Sequence, residues 1–296
     1  MVRVLMVDLL VERETFGHGG NQEVVRPFAA AGDVELLLVT PQMQSFEAGK
    51  KAEAGEVPLS EEDVPHWDDD YPFWQSTTVE LEGRTVSFRR IVMPMVENDL
   101  DMANWLDSLA VDAVVCSGSR RNVSMWEDWM APTASLVRAS ANAGRPTLGI
   151  CFGHQLLCHA LGATIERADS LSSGIWDLDF TEIGIDDELL TSHVSDDSCV
   201  AGLFTHQDHV MSVPESCSLL CSTSHNGVTA VRVLSEDGEP LPSWGIQFHP
   251  EAARARIERA HEWGHISDEE LASFKGEHDG ASILSSFATV VGRYQA

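Results

Sequence analysis

Two uninterrupted apolar runs near the N-terminus, VRVLMVDLL (2–10) and VELLLVT (34–40), most constrain what this chain can fold into. Neither alternates polar with apolar residues, so each must be covered on both faces. Between them lie a polar, glycine-bearing loop (12–21) and QEVVRPFAAAG (22–32), read as a helix that Pro27 shortens or shifts. Strand, helix, strand at this spacing is a parallel βαβ unit. The rhythm returns further on. ENDLDMANWLDSLA (97–110) is predicted helical, VDAVVCSGS (111–119) is a strand ending in a small-residue loop, and 131–143 is a helix stopped by Gly144-Arg145-Pro146. PTLGI (146–150) is a short buried strand, and HQLLCHALG (154–162) a helix closing at Gly162.

The remaining elements are less regular. VELEGRTVSF (79–88) reads as a hairpin turning at Glu82-Gly83. FTEIGI (180–185), VTAVRVL (228–234) and WGIQF (244–248) read as strands, the last two joined by a polar loop. Residues 41–78, with four prolines and the stretch HWDDDYPFW, are expected to form a long surface insertion. Residues after 251 are expected to be a helical C-terminal extension, with Ser267 and Glu270 at capping-box spacing. No interdomain linker is visible, so 1–296 is read as a single domain.

At 296 residues and 43% apolar content the chain can bury a sizeable core. Its charge excludes some partners. It has 47 acidic and 19 basic residues, a net charge of −28, and only three lysines, Lys50, Lys51 and Lys275. Such a surface repels phosphate backbones and anionic lipid, which argues against nucleic-acid and membrane partners. There is no signal-peptide pattern and no apolar run of about 18 residues, so a cytoplasmic location is expected. The six cysteines show no CxxC pair, which fits free thiols.

Three short stretches carry chemistry. GICFG (149–153) places Cys151 between two glycines, after a strand and before a helix. Glycines two residues either side relieve crowding at a sharp strand-to-helix turn that presents a nucleophile. The helix N-terminus then favours thiolate over thiol. WGIQFHPE (244–251) ends a strand with His249-Pro250-Glu251. A cysteine nucleophile needs a base and the base an orienting partner, roles that suit His249 and Glu251. CSGSRRN (116–122) is a small-residue loop able to turn a backbone N–H toward an oxyanion, with Phe152 N–H as the second donor. Taken singly, each stretch also fits a purely structural role.

Together these stretches resemble the class I glutamine amidotransferase family, over roughly 2–40 and 90–250. GICFGHQLL, WGIQFHPE and their separation of 98 residues carry the resemblance. It implies a flavodoxin-like α/β fold, a three-layer sandwich with a mostly parallel central sheet. It implies hydrolysis of the glutamine side-chain amide through a γ-glutamyl thioester on Cys151, with His249 and Glu251 completing the catalytic set. Gly118 and Phe152 would hold the oxyanion. Gln155, Ser117 and Ser119 would contact substrate. LFTHQDHVMSVP (203–214) resembles the corresponding segment of GMP synthase amidotransferase domains, so Thr205, His206, Gln207 and Asp208 would also meet it. The oxyanion loop departs from the family's glycine-proline pattern, reading Ser117-Gly118-Ser119-Arg120-Arg121.

No cofactor and no metal are expected. His206-Gln207-Asp208-His209 is a weak metal candidate, and Cys217 and Cys221 suit core packing. Trp126 and Trp129 suit core or pocket wall. No ATP-binding loop is present, and the chain after 251 is short for a second enzyme. The expected partners are therefore L-glutamine or a γ-glutamyl compound and a separate ammonia-accepting synthase. The alternatives are a γ-glutamyl hydrolase or peptidase, and a non-catalytic regulatory protein on the same scaffold.

Overall fold

A computed structural model describes residues 1–9, 20–42, 44, 78–190, 200–262, 264 and 266–294. The insertion expected at 41–78 and the glycine-bearing loop at 12–21 lie largely outside the described residues. Six strands run parallel at the centre: β1 (Val2–Val7), β2 (Val34–Val39), β4 (Arg84–Arg90), β5 (Ala113–Cys116), β6 (Thr147–Ile150) and β12 (Pro240–Ile246). Antiparallel strands flank them: β3 (Thr78–Leu81) at one end, and β11 (Asn226–Leu234), β10 (Cys217–Thr223) and β8 (Asp179–Phe180) at the other. The order is β3-β4-β2-β1-β5-β6-β12-β11-β10-β8. Two further strands, β7 (Ile165–Asp177) and β9 (Ala201–Val210), form a separate antiparallel pair.

The apolar runs 2–10 and 34–40 explain the layering. Val4, Met6, Leu36 and Leu38 face one core, shared with Val24 and Phe28 of α1 (Asn21–Ala31) and Leu284 and Phe287 of α7 (Gly280–Tyr294). The intervening Leu5, Val7, Leu37 and Val39 face a second core. There they meet Met102 of α2 (Asp99–Ser108), Leu136 of α3 (Met130–Asn142) and Leu156 of α4 (Phe152–Ala160). Each such side chain contributes roughly 1.5–3 kcal/mol when fully buried. Helices therefore cover both faces of a mostly parallel sheet, the flavodoxin-like three-layer architecture the sequence led us to expect.

Some local expectations shift. Pro27 lies inside α1 without shortening it, because Val24, Val25 and Phe28 bury against the sheet and outweigh one lost hydrogen bond. FTEIGI does not form a strand throughout. Only Asp179–Phe180 pairs with β10, after which Thr181 Oγ1 donates to the carbonyl of Leu219 (2.7 Å) and the chain turns through a short 3-10 helix, Gly184–Asp186. The hairpin at Glu82-Gly83 forms as expected, with φ of 52° and 71°. At the C-terminus lie α5 (Arg254–Glu262), α6 (Asp268–Ser273) and α7. Ser267 and Glu270 cap α6 reciprocally, at 3.1 and 2.8 Å. Among the described residues no helix is long and apolar enough to cross a membrane, no group of side chains suits a metal, and the cysteines are free.

Candidate active site

Cys151 is the single residue between β6 and α4, and its backbone is strained at φ 50°, ψ −101°. A non-glycine residue held in such a region costs of order 1–3 kcal/mol. It is pinned from both sides: its N–H donates to Ile246 O (2.8 Å), and its carbonyl accepts from Gln155 N–H (3.0 Å). The flanking glycines are required by close approach. A Cβ at Gly149 would lie 2.6 Å from Gly153 O, and one at Gly153 would lie 2.2 Å from Cys116 O. Backbone blocks both, so α4 presses directly onto β5 and β6. Gly153→Ala is expected to lower stability by about 3 kcal/mol; an unshifted denaturant midpoint would contradict that packing.

Three adjacent parallel strands bring the candidate groups together. β5 delivers Ser117 and Gly118, β6 delivers Cys151, and β12 leads to His249 and Glu251, all at the carboxyl ends of the strands. His249 Nδ1 and Glu251 Oε1 are 2.8 Å apart. A Cβ on Gly118 would lie 3.0 Å from His249 Cε1 and 3.8 Å from Cys151 Cβ, so the loop backbone is in contact with both. Phe152 N–H, at the first position of α4, has no intrahelical acceptor. Trp129 stacks on the Phe152 ring at 5.7 Å and is buried, whereas Trp126 is largely exposed.

Burial opposes a charge on His249, but the charges and hydrogen bonds of Cys151 and Glu251 outweigh it and hold the pKa well above the usual 6.5. His249 Nε2 is buried and makes no hydrogen bond among the described residues, while Nδ1 is held by Glu251. The charged imidazole is thus favoured, and it loses its proton as pH rises through the elevated value. A step that needs imidazolium fails there. Glu251→Gln removes one supporting charge, so the alkaline limb of the kcat/KM profile is expected to move to lower pH. A limb that stays in place would show that Glu251 does not act on His249.

A cleft of about 340 Å³ opens beside Cys151. Of the residues singled out from the sequence, Ser119, Phe152, Gln155, Thr205, His206, Gln207 and Asp208 line it. Several are engaged with the protein. Gln155 Nε2 donates to Asp208 O (2.9 Å) and Gln247 Oε1 (3.1 Å). The Asp208 carboxylate accepts from both the N–H and the hydroxyl of Ser124, each at 2.8 Å, and so ties β9 to the loop after Gly118. His206 Nδ1 donates to Asp208 O (2.9 Å), and burial together with His209, His225 and His249 pushes its pKa down to about 3. It is a neutral wall residue. Ser117 is turned inward, its hydroxyl donating to Gly118 O and accepting from Leu9 N–H, each at 3.0 Å, and it does not line the cleft.

Sequence reasoning missed Arg167, Leu171 and Glu270, which also line the cleft. They come from β7 and α6, whose polar sequences carry no catalytic motif, Glu270 being legible only as part of a helix cap. Arg167 pairs with Asp208 of β9, and the register of β7 breaks between Arg167 and Ser172, the stretch that contains Leu171.

Comparisons with known proteins identify the family. The model of the class I glutamine amidotransferase family matches residues 78–260. γ-Glutamyl peptidase 3 of Arabidopsis thaliana is 33% identical over 158 residues, which cover 52% of this chain and 57% of that protein. A glutamine-hydrolysing GMP synthase subunit from Methanocaldococcus jannaschii is 32% identical over 114 residues, 38% of this chain and 54% of that one. The chain thus spans just over half the length of these two relatives. A glutamine amidotransferase structure from Thermotoga maritima superimposes with a TM-score of 0.53 over 98% of this chain and 97% of that one, at 14% identity, which bears on the fold alone. With the family model matching more than half of its length, this chain belongs to the class I glutamine amidotransferases.

Proposed function

We propose that the protein hydrolyses a γ-glutamyl amide through a thioester on Cys151. The observation that carries this reading is Cys151 itself, held at positive φ next to a raised-pKa His249 that is paired with Glu251. Cys151 attacks the γ-carboxamide carbon as thiolate. N–H groups at Gly118 and Phe152 stabilise the oxyanion, each worth about 2.7–4 kcal/mol. The His249 imidazolium gives its proton to the leaving nitrogen. As neutral imidazole it then activates the water that cleaves the thioester, while Glu251 holds the ring and supports its charge. Glutamine gives glutamate and ammonia, and the ammonia is passed to a separate synthase, as the likeness to a GMP synthase subunit suggests.

A second reading, a γ-glutamyl hydrolase or peptidase that needs no acceptor, is favoured by one observation. Arg120, Arg121 and Arg167 surround the cleft where a small amide alone would not call for them. Steady-state glutamate and ammonia release from L-glutamine and from a panel of γ-glutamyl amides, at low and high salt, separates the two. Strong glutamine turnover supports the first, and preference for a conjugate supports the second. No glutamate from any substrate, even with a candidate synthase added, would overturn both.

A further inference from the structure

We infer that the cleft is built for a γ-glutamyl compound whose leaving amine carries a carboxylate of its own, a γ-glutamyl amino acid or peptide, with Arg120 and Arg167 as the specificity-determining residues; this rests on the thioester reading above. The chain is poor in cations, with 16 arginines and three lysines against 47 carboxylates. At that density fewer than one arginine falls among 14 residues, yet three of the 14 lining this cleft are arginine. A chain of charge −28 repels anionic substrates in general, so this local reversal of sign selects for one.

Three arginines stand against two carboxylates in the lining, and among the described residues neither carboxylate is ion-paired with Arg120 or Arg167. The two carboxylates in the lining are Asp208 and Glu270. Both oxygens of Asp208 are occupied by Ser124, and Glu270 accepts from Ser267 N–H in the cap of α6. Arg121 is paired with Glu127 at 3.6 Å. Among the described residues Arg120 has no ion pair. The Arg167 guanidinium is aimed by neutral partners, Gln207 Oε1 at 2.6 Å and Met125 Sδ at 3.5 Å, and Gln207 is braced in turn on Ala168 O at 2.9 Å. These contacts orient Arg167 and leave its charge intact. These two guanidinium groups come from separate elements, the loop after β5 and strand β7. One suffices for the α-carboxylate of the glutamyl half, and the other is left for a carboxylate on the leaving side. The planar guanidinium fork suits that task. The exposed Leu171 beside them offers an apolar surface to the leaving side chain.

The chemistry needs no further reactant. The S–C bond forms as the γ C–N bond breaks, the His249 proton goes to the amine of the departing amino acid, and water then releases glutamate.

The test compares γ-glutamylalanine with γ-glutamylalaninamide and L-glutamine, at low ionic strength, in the wild type, Arg120→Ala, Arg167→Ala and the double variant. The wild type is expected to prefer the acid over the amide by about tenfold in kcat/KM, chiefly through KM. The preference should collapse toward parity in the double variant and be partly restored by Arg120→Lys with Arg167→Lys. Equal use of acid and amide by the wild type, or turnover of glutamine alone, would overturn the inference and leave the thioester reading standing. Absence of glutamate from all three substrates, with Cys151 unmodified by a glutamine-like electrophile, would sink the thioester reading and this inference with it.

Discussion

Replacing Cys151 with alanine is expected to remove turnover by about 10⁴-fold or more, with the fold unchanged. The size follows from what remains. His249, Glu251 and the donors at Gly118 and Phe152 stay in place, but none can form the covalent intermediate that divides the reaction into two easier steps. The fold should survive because the pins on residue 151 are backbone groups, the hydrogen bonds with Ile246 and Gln155. The strained φ of 50° is also as available to alanine as to cysteine. The thermal midpoint should therefore move by only about 3 °C. Activity within tenfold of the wild type would remove Cys151 from the mechanism. A collapsed midpoint would mean that Cys151 is a core residue first.

The second large effect is expected at a position that touches no substrate. Gly20 stands immediately before α1, and a Cβ there would lie 2.4 Å from Glu251 Cγ and 3.4 Å from its Cβ. Glu251 has little room to yield, being buried and bonded through Oε1 to His249. Gly20→Ala should push the carboxylate off the imidazole. A displacement near 1 Å in an assembled site costs about 10²-fold, so kcat is expected to fall by that factor with KM nearly unchanged. The alkaline limb should move down in pH as it does for Glu251→Gln, a signature that a general loss of packing would not produce. Gly32→Ala, at the other end of α1 with no atom within 4 Å of the new methyl, is the matched control. Full kcat in Gly20→Ala would show that Glu251 is free to move without consequence.

The parts of this molecule legible in the sequence are those where one short segment carries the whole constraint. The runs 2–10 and 34–40 announce strands buried on both faces, and GICFGHQ announces its turn because a Cβ at either glycine would lie only 2.2–2.6 Å from backbone oxygen. What stayed hidden depends on contacts between distant segments. Strand β7, with the polar sequence IERADSLSSGIWD, has no apolar run because among the described residues it pairs with β9 alone and is mostly outside the core. Arg167 and Glu270 reach the cleft through that pairing and through α6. The inward turn of Ser117 depends on Leu9, 108 residues away in sequence. Pro27 misleads for the opposite reason, since burial of its neighbours overrides a local preference.

The most direct measurement is mass spectrometry on protein quenched during turnover of a γ-glutamyl substrate, with the digest read at the peptide that contains Cys151. The expected result is a mass gain of one γ-glutamyl group on Cys151 in the wild type, absent in Cys151→Ala and absent when His249 is replaced, since the same imidazole is needed to release the leaving nitrogen. Steady hydrolysis with an unmodified Cys151 at every quench time, or the γ-glutamyl group found on another residue, would contradict the mechanism proposed here.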